Sequence, residues 1–365
     1  MNIIKANADY GIVNRVKDSI FGYQGWPTVA RDEKGTLYVV SSSFRTQHIC
    51  PFGKTAMYIS KNNGRTWSPP IVINDTYLDD RDAGLLCLGG GRMLLTWFSH
   101  PTSVYSGSLY QYIKNSAGTL ESPATMGMMS IYPNIPAEHS KGGSFIRVSE
   151  DYGMTWSDTV RIPISSPHGP NLLRDGTIVY LGKAMYTDEV PEKSICSFKS
   201  TDGGYTWQKQ CVLALPEGVP AGCCHEPHVI ELADGRLLGM IRVEANHLTP
   251  KFTVYQTISG DGGETWSVPS PTGFEGSPPH LLRHSSGALI CTYGRRIESY
   301  GERARVSYDN GATWPVEYVI DDRPNDADLG YPSTVELDDG SLITVYYQRH
   351  GDDEKCSILY AHWSL

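Results

Sequence analysis

Six segments of the chain share one pattern of apolar and polar positions. Each has a short apolar run, a turn centred on glycine and a second apolar run. Two such runs joined by a tight glycine-containing turn predict an antiparallel hairpin. The six predicted hairpins occupy residues 26–40, 82–98, 168–182, 226–242, 278–293 and 331–347.

A second motif, Ser-x-Asp-x-Gly-x-Thr-Trp, follows five of these hairpins. Its copies are residues 60–67 (with Asn62 in place of Asp), 149–156, 200–207, 259–266 and 307–314. The Asp can accept hydrogen bonds from a turn backbone, the Gly supplies a positive φ, and the Trp packs the turn onto the sheet. We therefore interpret these copies, called Asp boxes below, as structural turns between a third and a fourth strand.

Four strands per unit and six units predict an all-β fold, a six-bladed β-propeller, in which each blade needs its neighbours to bury both faces. The sixth unit ends after a third strand at about 356–363, so we expect the segment around 2–13 to add the fourth and close the ring. Residues 1–365 would then form one domain. An insert at about 100–142 in blade two is expected to form a rim over the pocket or an oligomer contact.

The alternation of strand direction places the hairpin turns and the Asp boxes at one end of the ring. The residues before each first strand and after each second strand must then converge at the other end, where the axis opens into a cleft. The residues before the first strands are Trp26, Asp82, His168, Glu226, Pro278 and Tyr331. Those after the second strands are Arg45, His48, His100, Lys183, Arg242, Arg295, Arg296, Arg349 and His350.

Composition narrows the possible partners. The net charge is −9 and no Lys/Arg-rich run occurs, which argues against a nucleic-acid or anionic-membrane partner. The arginines near the axis of this acidic chain therefore predict a local anion pocket. A surplus of Tyr and Trp over Phe favours strands and sugar stacking.

The cysteines and the first residues exclude further classes. Eight cysteines without Cys-x-x-Cys or His/Cys ligand spacing argue against zinc, so we expect buried free thiols and predict neither metal nor cofactor. The sequence contains no apolar stretch that approaches the roughly 20 residues needed to span a bilayer. Residues 1–10 lack a secretory signal pattern, so a cytoplasmic location is expected unless a signal has been removed.

Several axial residues have types that suit acid/base chemistry. Glu226 before Pro227 fits a general base, and Arg81 with Asp82 at the start of blade two is expected to reach a ligand. Three histidines could either line the site or make structural hydrogen bonds: His48, His168 and His225. His280 and His284, inside the fifth hairpin, are interpreted as structural.

The boxes, the hairpins and the run from Glu226-Pro-His to Met-Ile-Arg242 resemble the bacterial sialidase (neuraminidase) superfamily over essentially the whole chain. The more specific feature is the order of Glu226, Arg242, an arginine after the fifth hairpin, and Tyr331 in Gly-Tyr-Pro-Ser. The resemblance implies release of a terminal sialic (nonulosonic) acid from a glycoconjugate. It further implies that Tyr331 and Glu226 form the nucleophilic couple and that Arg242 and Arg295 hold the sugar carboxylate.

The chemistry explains these residue types. A sialoside carries a carboxylate on its anomeric carbon, which would repel a charged Asp or Glu nucleophile. A phenol stays neutral until a neighbouring carboxylate takes its proton, and sialidases are known to use a tyrosine nucleophile. Guanidinium groups pair with carboxylates through two hydrogen bonds, which lysine does less well.

Two parts of the family pattern are missing. The chain has Gln24-Gly25-Trp26-Pro27 where members usually carry an Arg-Ile-Pro type motif, and residues 44–48 contain no Asp acid/base. Arg45 or Arg81 could complete the clamp, and His48 or Asp82 could donate the proton. The chain therefore resembles a divergent branch, for which the identity of the sugar and the choice between retention and inversion stay open.

Functions of other classes fit some of the same residues. A lyase acting on an acidic sugar could use His48, His168 and Tyr331 for proton abstraction. A non-catalytic carbohydrate-binding propeller would need the arginines and aromatic residues but no acid/base group.

Overall fold

The structure, a computed structural model, describes residues 1–116 and 120–365. Six mainly antiparallel sheets follow one another along the chain, and the first strands of several neighbouring blades contact each other around a common axis. The sixth sheet also contacts the first, which closes the ring. The prediction of an all-β, six-bladed propeller is confirmed.

Within each blade the strands are ordered from the axis outward. Blade one comprises Tyr23–Arg31, Leu37–Arg45, Lys54–Ser60 and Ile71–Asn74, and blade two comprises Arg81–Gly89, Arg92–Ser99, Gly143–Ser149 and Val160–Ile162. Blade three comprises the short Ile164–Ser165 and Asn171–Leu172, both paired with Ile178–Ala184, then Ile195–Ser200 and Gln208–Val212. Blade four comprises Cys224–Glu231, Leu237–Glu244, Phe252–Ser259 and Ser270–Pro271. Blade five comprises His280–Arg283, Leu289–Arg295, Gly301–Ser307 and Val316–Asp321, and blade six comprises Gly330–Glu336, Leu342–Arg349 and Cys356–Trp363.

The N-terminal segment is divided between two blades. Asp9–Asn14 pairs antiparallel with Cys356–Trp363 and supplies the fourth strand of blade six, as expected. Asn2–Lys5 instead pairs in parallel with Val316–Asp321 and adds a fifth strand to blade five. The ring is thus closed by a segment that joins its last two blades.

Burial falls from the inner strands to the outer ones. The second strand of blade one, Leu37–Arg45, is almost entirely buried because both faces of the sheet are covered by neighbouring blades. In the outer strand Ile71–Asn74 of the same blade, two of the four residues are exposed and only Asn74 is buried. The side chains near the axis are therefore held in a packed environment.

The Asp boxes form the predicted turns and also join neighbouring blades. In the box of blade three, Asp202 Oδ1 accepts hydrogen bonds from Ser200 Oγ at 2.8 Å and from the Thr206 amide at 3.0 Å. The Gly204 amide donates to Ser200 Oγ at 2.9 Å, and the glycine backbone lies against Leu94 of blade two. Each box therefore fixes its own turn, and this one also packs against the preceding blade.

Gly204→Ala is expected to lower the free energy of unfolding by about 2–4 kcal/mol, since it adds backbone strain and overpacking. Gly204 has φ +99°, and a Cβ there would come within 2.3 Å of Leu94 Cδ1. Gly203→Ala in the same turn is the control: φ is +83° and the nearest atom is 3.7 Å away, so about 1–2 kcal/mol is expected. Equal losses in thermal unfolding of the two variants would contradict the interblade contact.

The insert in blade two is helical where the structure describes it. It contains α1 (Thr102–Ser106), α2 (Tyr110–Ser116), α3 (Glu121–Met129) and a 3-10 turn at Tyr132–Asn134. Three of its buried side chains, Tyr105, Ile113 and Met129, pack with Ile49 and Phe52 of the loop that follows the second strand of blade one. The insert therefore packs against this loop of blade one and stabilises it.

All eight cysteines are free, as predicted, but only five are buried, since Cys87, Cys211 and Cys223 are partly exposed. Within the described ranges, no helix is long and apolar enough to cross a bilayer.

Candidate active site

One residue within the first few positions of four of the first strands has the same unusual backbone conformation. Trp26, Asp82, Glu226 and Tyr331 have φ between +46° and +53°, and the strand register shifts at each of them. Such bulges redirect a side chain, and a left-handed non-glycine residue costs roughly 1–3 kcal/mol. The repeat thus turns these four side chains toward the axis at a cost in stability, a pattern typical of functional sites.

A cavity of about 510 Å³ opens where these side chains meet, a volume that suits a small ligand. The predicted residues that line it are His48, Arg81, Asp82, His225, Glu226, Arg242 and Tyr331. Further lining residues are Trp26, Phe98, His100, Lys183, Tyr186, Glu192, Lys193 and Arg296. No described residue of the insert beyond His100 lines the cavity, which corrects the expectation of a rim over the pocket.

Tyr331, Glu226 and Arg242 form one hydrogen-bonded group in the wall of the cavity. The Tyr331 hydroxyl donates to Glu226 Oε1. Arg242 Nη1 donates to Glu226 Oε2 at 2.6 Å and to the Tyr331 oxygen at 3.2 Å, while Nη2 donates to Glu244 at 2.6 Å. The geometry brings together a phenol, a carboxylate that can take its proton, and a cation that can stabilise the resulting phenolate.

The charge states of this group follow from burial and from the cation. Burial, with a contribution from Glu226, raises the pKa of Tyr331 well above 10, so the phenol is neutral at rest. Burial also acts to raise the pKa of Glu226, but the charge of Arg242, with the hydrogen bond from Tyr331, outweighs it and lowers that pKa to about 2. Glu226 is therefore ionised and can accept a proton from Tyr331 only as the phenol oxygen forms a new bond.

Asp82 lies at the blade-two entrance to the same cavity. Its Oδ1 is buried without a hydrogen-bond partner among the described residues, and its amide donates to Ser42 Oγ at 2.9 Å. Burial raises the pKa of Asp82 to about 6, although Arg81 opposes the shift. Asp82 thus keeps its proton at mildly acidic pH, which suits a proton donor.

His48 lines the cavity as part of a small polar cluster. Its Nδ1 lies 2.9 Å from Asp328 Oδ1, an oxygen that also accepts a hydrogen bond from the Tyr23 hydroxyl at 2.8 Å. Burial lowers the pKa of His48, although Asp328 opposes the shift. A neutral imidazole held in this way is a weaker proton donor than Asp82.

Two predicted arginines lie outside the cavity. Arg295 pairs with Glu275, whereas its neighbour Arg296 lines the cavity, so Arg296 replaces Arg295 as the candidate ligand contact. Successive side chains near a strand end point to different sides, and the sequence pair alone does not show which one faces inward. Arg45 is fully buried and donates to Asp79 at 2.8 Å, so it lies behind the cavity wall and supports it without facing a ligand.

His168 lies deeper along the axis than was expected. It does not line this cavity; it lines a second, smaller one of about 200 Å³ nearer the other end of the first strands, together with His228 and His280. The His168 ring lies 5.0 Å from His280 and 6.4 Å from Tyr331, measured between ring centroids. Burial lowers the pKa of His168 to about 3, so the ring is neutral. Because His168 lies outside the cavity and beside Tyr331, it packs against the phenol ring instead of contacting a ligand there.

His280 and His284 make the structural contacts expected of them. His280 Nδ1 accepts a hydrogen bond from the Thr334 amide at 3.3 Å, and His284 Nε2 lies 2.9 Å from the Gly340 carbonyl oxygen. Within the described residues, no group of three or more His, Cys, Asp or Glu side chains is arranged to hold a metal ion.

Lys183 and Trp26 are site residues that the sequence placed near the axis without assigning them a role. Lys183 Nζ donates to the Cys224 carbonyl at 2.6 Å and lies 2.9 Å from His225 Nδ1. Burial, then Lys183, lowers the pKa of His225 to about 4, so this histidine is neutral beside the cation. The Trp26 indole faces the Tyr331 ring edge-on, with 6.3 Å between centroids.

Residues 96–345 match the BNR repeat-like domain family, which covers more than half of the chain. The chain belongs to this family. No curated protein matches the sequence significantly. The family match of this BNR repeat-like protein includes Glu226, Arg242, Arg296 and Tyr331, while the part before residue 96, with Trp26 and Asp82, lies outside it.

Solved structures share the fold of this BNR repeat-like protein at low sequence identity. A Dyadobacter fermentans protein of unknown function is 21% identical, with a TM-score of 0.77 and 99% of both chains covered. An intramolecular trans-sialidase from Ruminococcus gnavus, in complex with oseltamivir carboxylate, is 15% identical with a TM-score of 0.68 and 97% coverage of both chains. An α-L-arabinofuranosidase from Fusarium graminearum is 14% identical, with a TM-score of 0.64 and 98% coverage of both chains. These identities show a shared fold, which serves glycosidases of more than one kind.

Proposed function

We propose that this BNR repeat-like protein is an exo-acting glycoside hydrolase that releases a terminal acidic sugar, with a sialic acid as first choice. The observation that carries the proposal is the Tyr331 hydroxyl donating to Glu226 beside Arg242, within a cavity that also contains Asp82. The pairing of a phenol with an ionised carboxylate suits attack on an anomeric carbon that bears its own negative charge.

The reaction would proceed in two steps. The Tyr331 oxygen attacks the anomeric carbon while Glu226 takes the phenolic proton, and Asp82 gives its proton to the departing glycosidic oxygen. Water then breaks the bond between Tyr331 and the sugar: Asp82 removes a proton from the water, and Glu226 returns a proton to the Tyr331 oxygen. Each residue ends in its starting protonation state, and the anomeric configuration is retained.

The cationic lining supports an acidic rather than a neutral sugar. Three arginines and two lysines line the cavity, against three carboxylic acids, of which Asp82 is protonated at mildly acidic pH. The fold shared with a trans-sialidase also favours sialic acid as the substrate sugar. The arabinofuranosidase shows that the fold alone does not determine the sugar.

The proposal is tested by incubating the protein with a fluorogenic sialoside and with the matching glucuronide. We expect the sialoside to release the fluorophore and free sialic acid in equal amounts, with the first-formed sugar in the configuration of the substrate. No turnover of any sialoside, with turnover of the glucuronide, would overturn the choice of sugar. An unsaturated product absorbing near the ultraviolet edge would instead indicate a lyase.

Arg296→Met is expected to raise KM for the sialoside by about fivefold to tenfold, with a smaller change in kcat. Arg296 Nε and Nη2 donate to the Leu329 carbonyl at 3.0 and 2.8 Å, so only part of the guanidinium is free for a ligand. Arg295→Met, one residue away and outside the cavity, is the matched control and should leave KM near the wild-type value. A larger rise in KM for the Arg295 variant would restore the original sequence-based assignment.

A further inference from the structure

Arg81 differs from the other two cavity arginines in having no hydrogen-bond partner in the part of the chain that the structure describes. It is only 7% exposed, and its Nε is buried and unpartnered. The nearest carboxylate oxygens, of Asp82 and Asp79, lie 3.7 and 3.9 Å from Nε, too far for hydrogen bonds. Its two Nη groups also have no hydrogen-bond partner among the described residues and, unlike Nε, are not fully buried, so they are available to a ligand in the cavity.

The other two guanidinium groups already donate to protein atoms, although Arg242 Nε, like Arg81 Nε, is buried without a partner among the described residues. Arg242 is bonded to Glu226, Glu244 and Tyr331, and a ligand anion would have to compete with both carboxylates. Arg296 donates to the Leu329 carbonyl and, at 3.0 Å, to the Tyr347 hydroxyl. A buried polar group without a partner is costly, so the unmet donors of Arg81 favour an anion at this point more than either alternative does.

The Arg81 side chain is held in place by a set of packed and hydrogen-bonded neighbours. Its guanidinium carbon lies 4.2 Å from the Trp26 ring centroid, and that of Arg45 lies 4.7 Å from the same ring. Asp79 holds Arg45 and also accepts hydrogen bonds from the Gly53 amide and the Tyr105 hydroxyl, both at 3.0 Å. Tyr105 belongs to helix α1, so the insert is connected to Arg81 through Asp79, Arg45 and Trp26.

Trp26 also sets where an anion on Arg81 would lie. The indole that contacts Arg81 meets Tyr331 edge-on, and all three side chains line the cavity. An anion bound to Arg81 would therefore lie in the same cavity as the phenol. In the absence of an Arg-Ile-Pro type motif, blade one contributes this aromatic platform and blade two contributes the cation.

We propose that Arg81, fixed on Trp26 by the Arg45, Asp79 and Tyr105 support, is the primary anchor for the anionic group of the ligand, with Arg242 and Arg296 in secondary roles. The inference deepens the proposed function, on which it rests for the class of ligand: a sugar that bears a carboxylate. Tyr105 is a positioning residue, because it acts through Asp79 and does not line the cavity.

Calorimetric binding of a dehydrated sialic acid analogue and of its methyl ester tests the anchor, with glucuronate and its methyl ester as a second pair. Arg81→Met should weaken binding of the acid about 10- to 100-fold and leave binding of the ester nearly unchanged. Arg81→Lys should fall between Arg81→Met and the wild type, since lysine keeps the charge without the two-point geometry. Arg295→Met is the control outside the cavity.

Tyr105→Phe keeps the cavity lining intact and removes only the hydrogen bond to Asp79. It should weaken binding of the acid about threefold to tenfold and leave binding of the ester nearly unchanged. A purely structural role of Tyr105 would weaken binding of both. Equal losses for acid and ester, an Arg81 effect no larger than that of Arg295, or a wild-type protein that prefers neither acid over its ester would each overturn the anchor. Because the readout is binding, a failure to detect turnover would overturn the hydrolase proposal and leave this result standing.

Discussion

Tyr331→Phe is expected to lower kcat on a sialoside by about 10³- to 10⁴-fold, with a much smaller change in KM. The substitution removes the oxygen that would bond to the anomeric carbon. It keeps the ring, which packs 6.3 Å from Trp26 and 6.0 Å from Tyr347 between centroids. Steady-state kinetics measure the loss, and thermal unfolding checks that the variant is folded.

The matched control is Tyr293→Phe, which removes an equally buried hydroxyl away from the cavity. Tyr293 is 1% exposed and donates to Glu317 at 2.8 Å, so its replacement should affect stability and leave kcat nearly unchanged. Glu226→Gln should resemble Tyr331→Phe, and the double variant should be hardly worse than either single one, since the two residues act as a unit. A Tyr331→Phe variant within tenfold of wild type would indicate an inverting route in which water attacks directly.

The sequence predicts the fold well where the repeat determines it. Hairpin turns and Asp boxes follow from residue types at fixed positions, and the third strand of blade six lies at Cys356–Trp363 as expected. The parallel strand Asn2–Lys5 could not be predicted, because four largely exposed residues carry no alternating pattern. The sequence does not predict helix α3 because Pro123 and Gly127 lower the helix propensity of this segment.

The candidate site was predictable to the same extent as the repeat. One position of the repeat, predicted just before the first strand, yields Asp82, Glu226 and Tyr331; the structure places it instead inside that strand, at a left-handed bulge. Contacts between residues of different blades leave no pattern in the local sequence. The contact of Arg45 with Asp79 and the lack of a partner for Arg81 among the described residues therefore become visible only in three dimensions.

Asp82→Asn is expected to lower kcat about 10²- to 10³-fold on a natural sialoside, whose leaving oxygen needs a proton. The first step on an aryl sialoside should suffer much less, because an activated phenolate leaves without protonation. Pre-steady-state release of the aryl group, compared with release of an alkyl group, measures the difference. Equal losses on both substrates would show that Asp82 positions the sugar and does not donate the proton.

The pH profile provides an independent check on the same residue. Burial raises the pKa of Asp82 to about 6 against the opposing charges of Arg81 and Arg45 and with the support of Glu226 and Asp79, so its acid form persists to that pH and is lost above it. Wild-type kcat/KM should therefore fall as pH rises through about 6, while Glu226, with a pKa of about 2, stays ionised throughout that range. Asp82→Asn should abolish this fall and His48→Gln should retain it. If His48→Gln abolished the fall and Asp82→Asn retained it, His48 would be the proton donor. The two variants thus decide between Asp82 and His48, which the sequence leaves open.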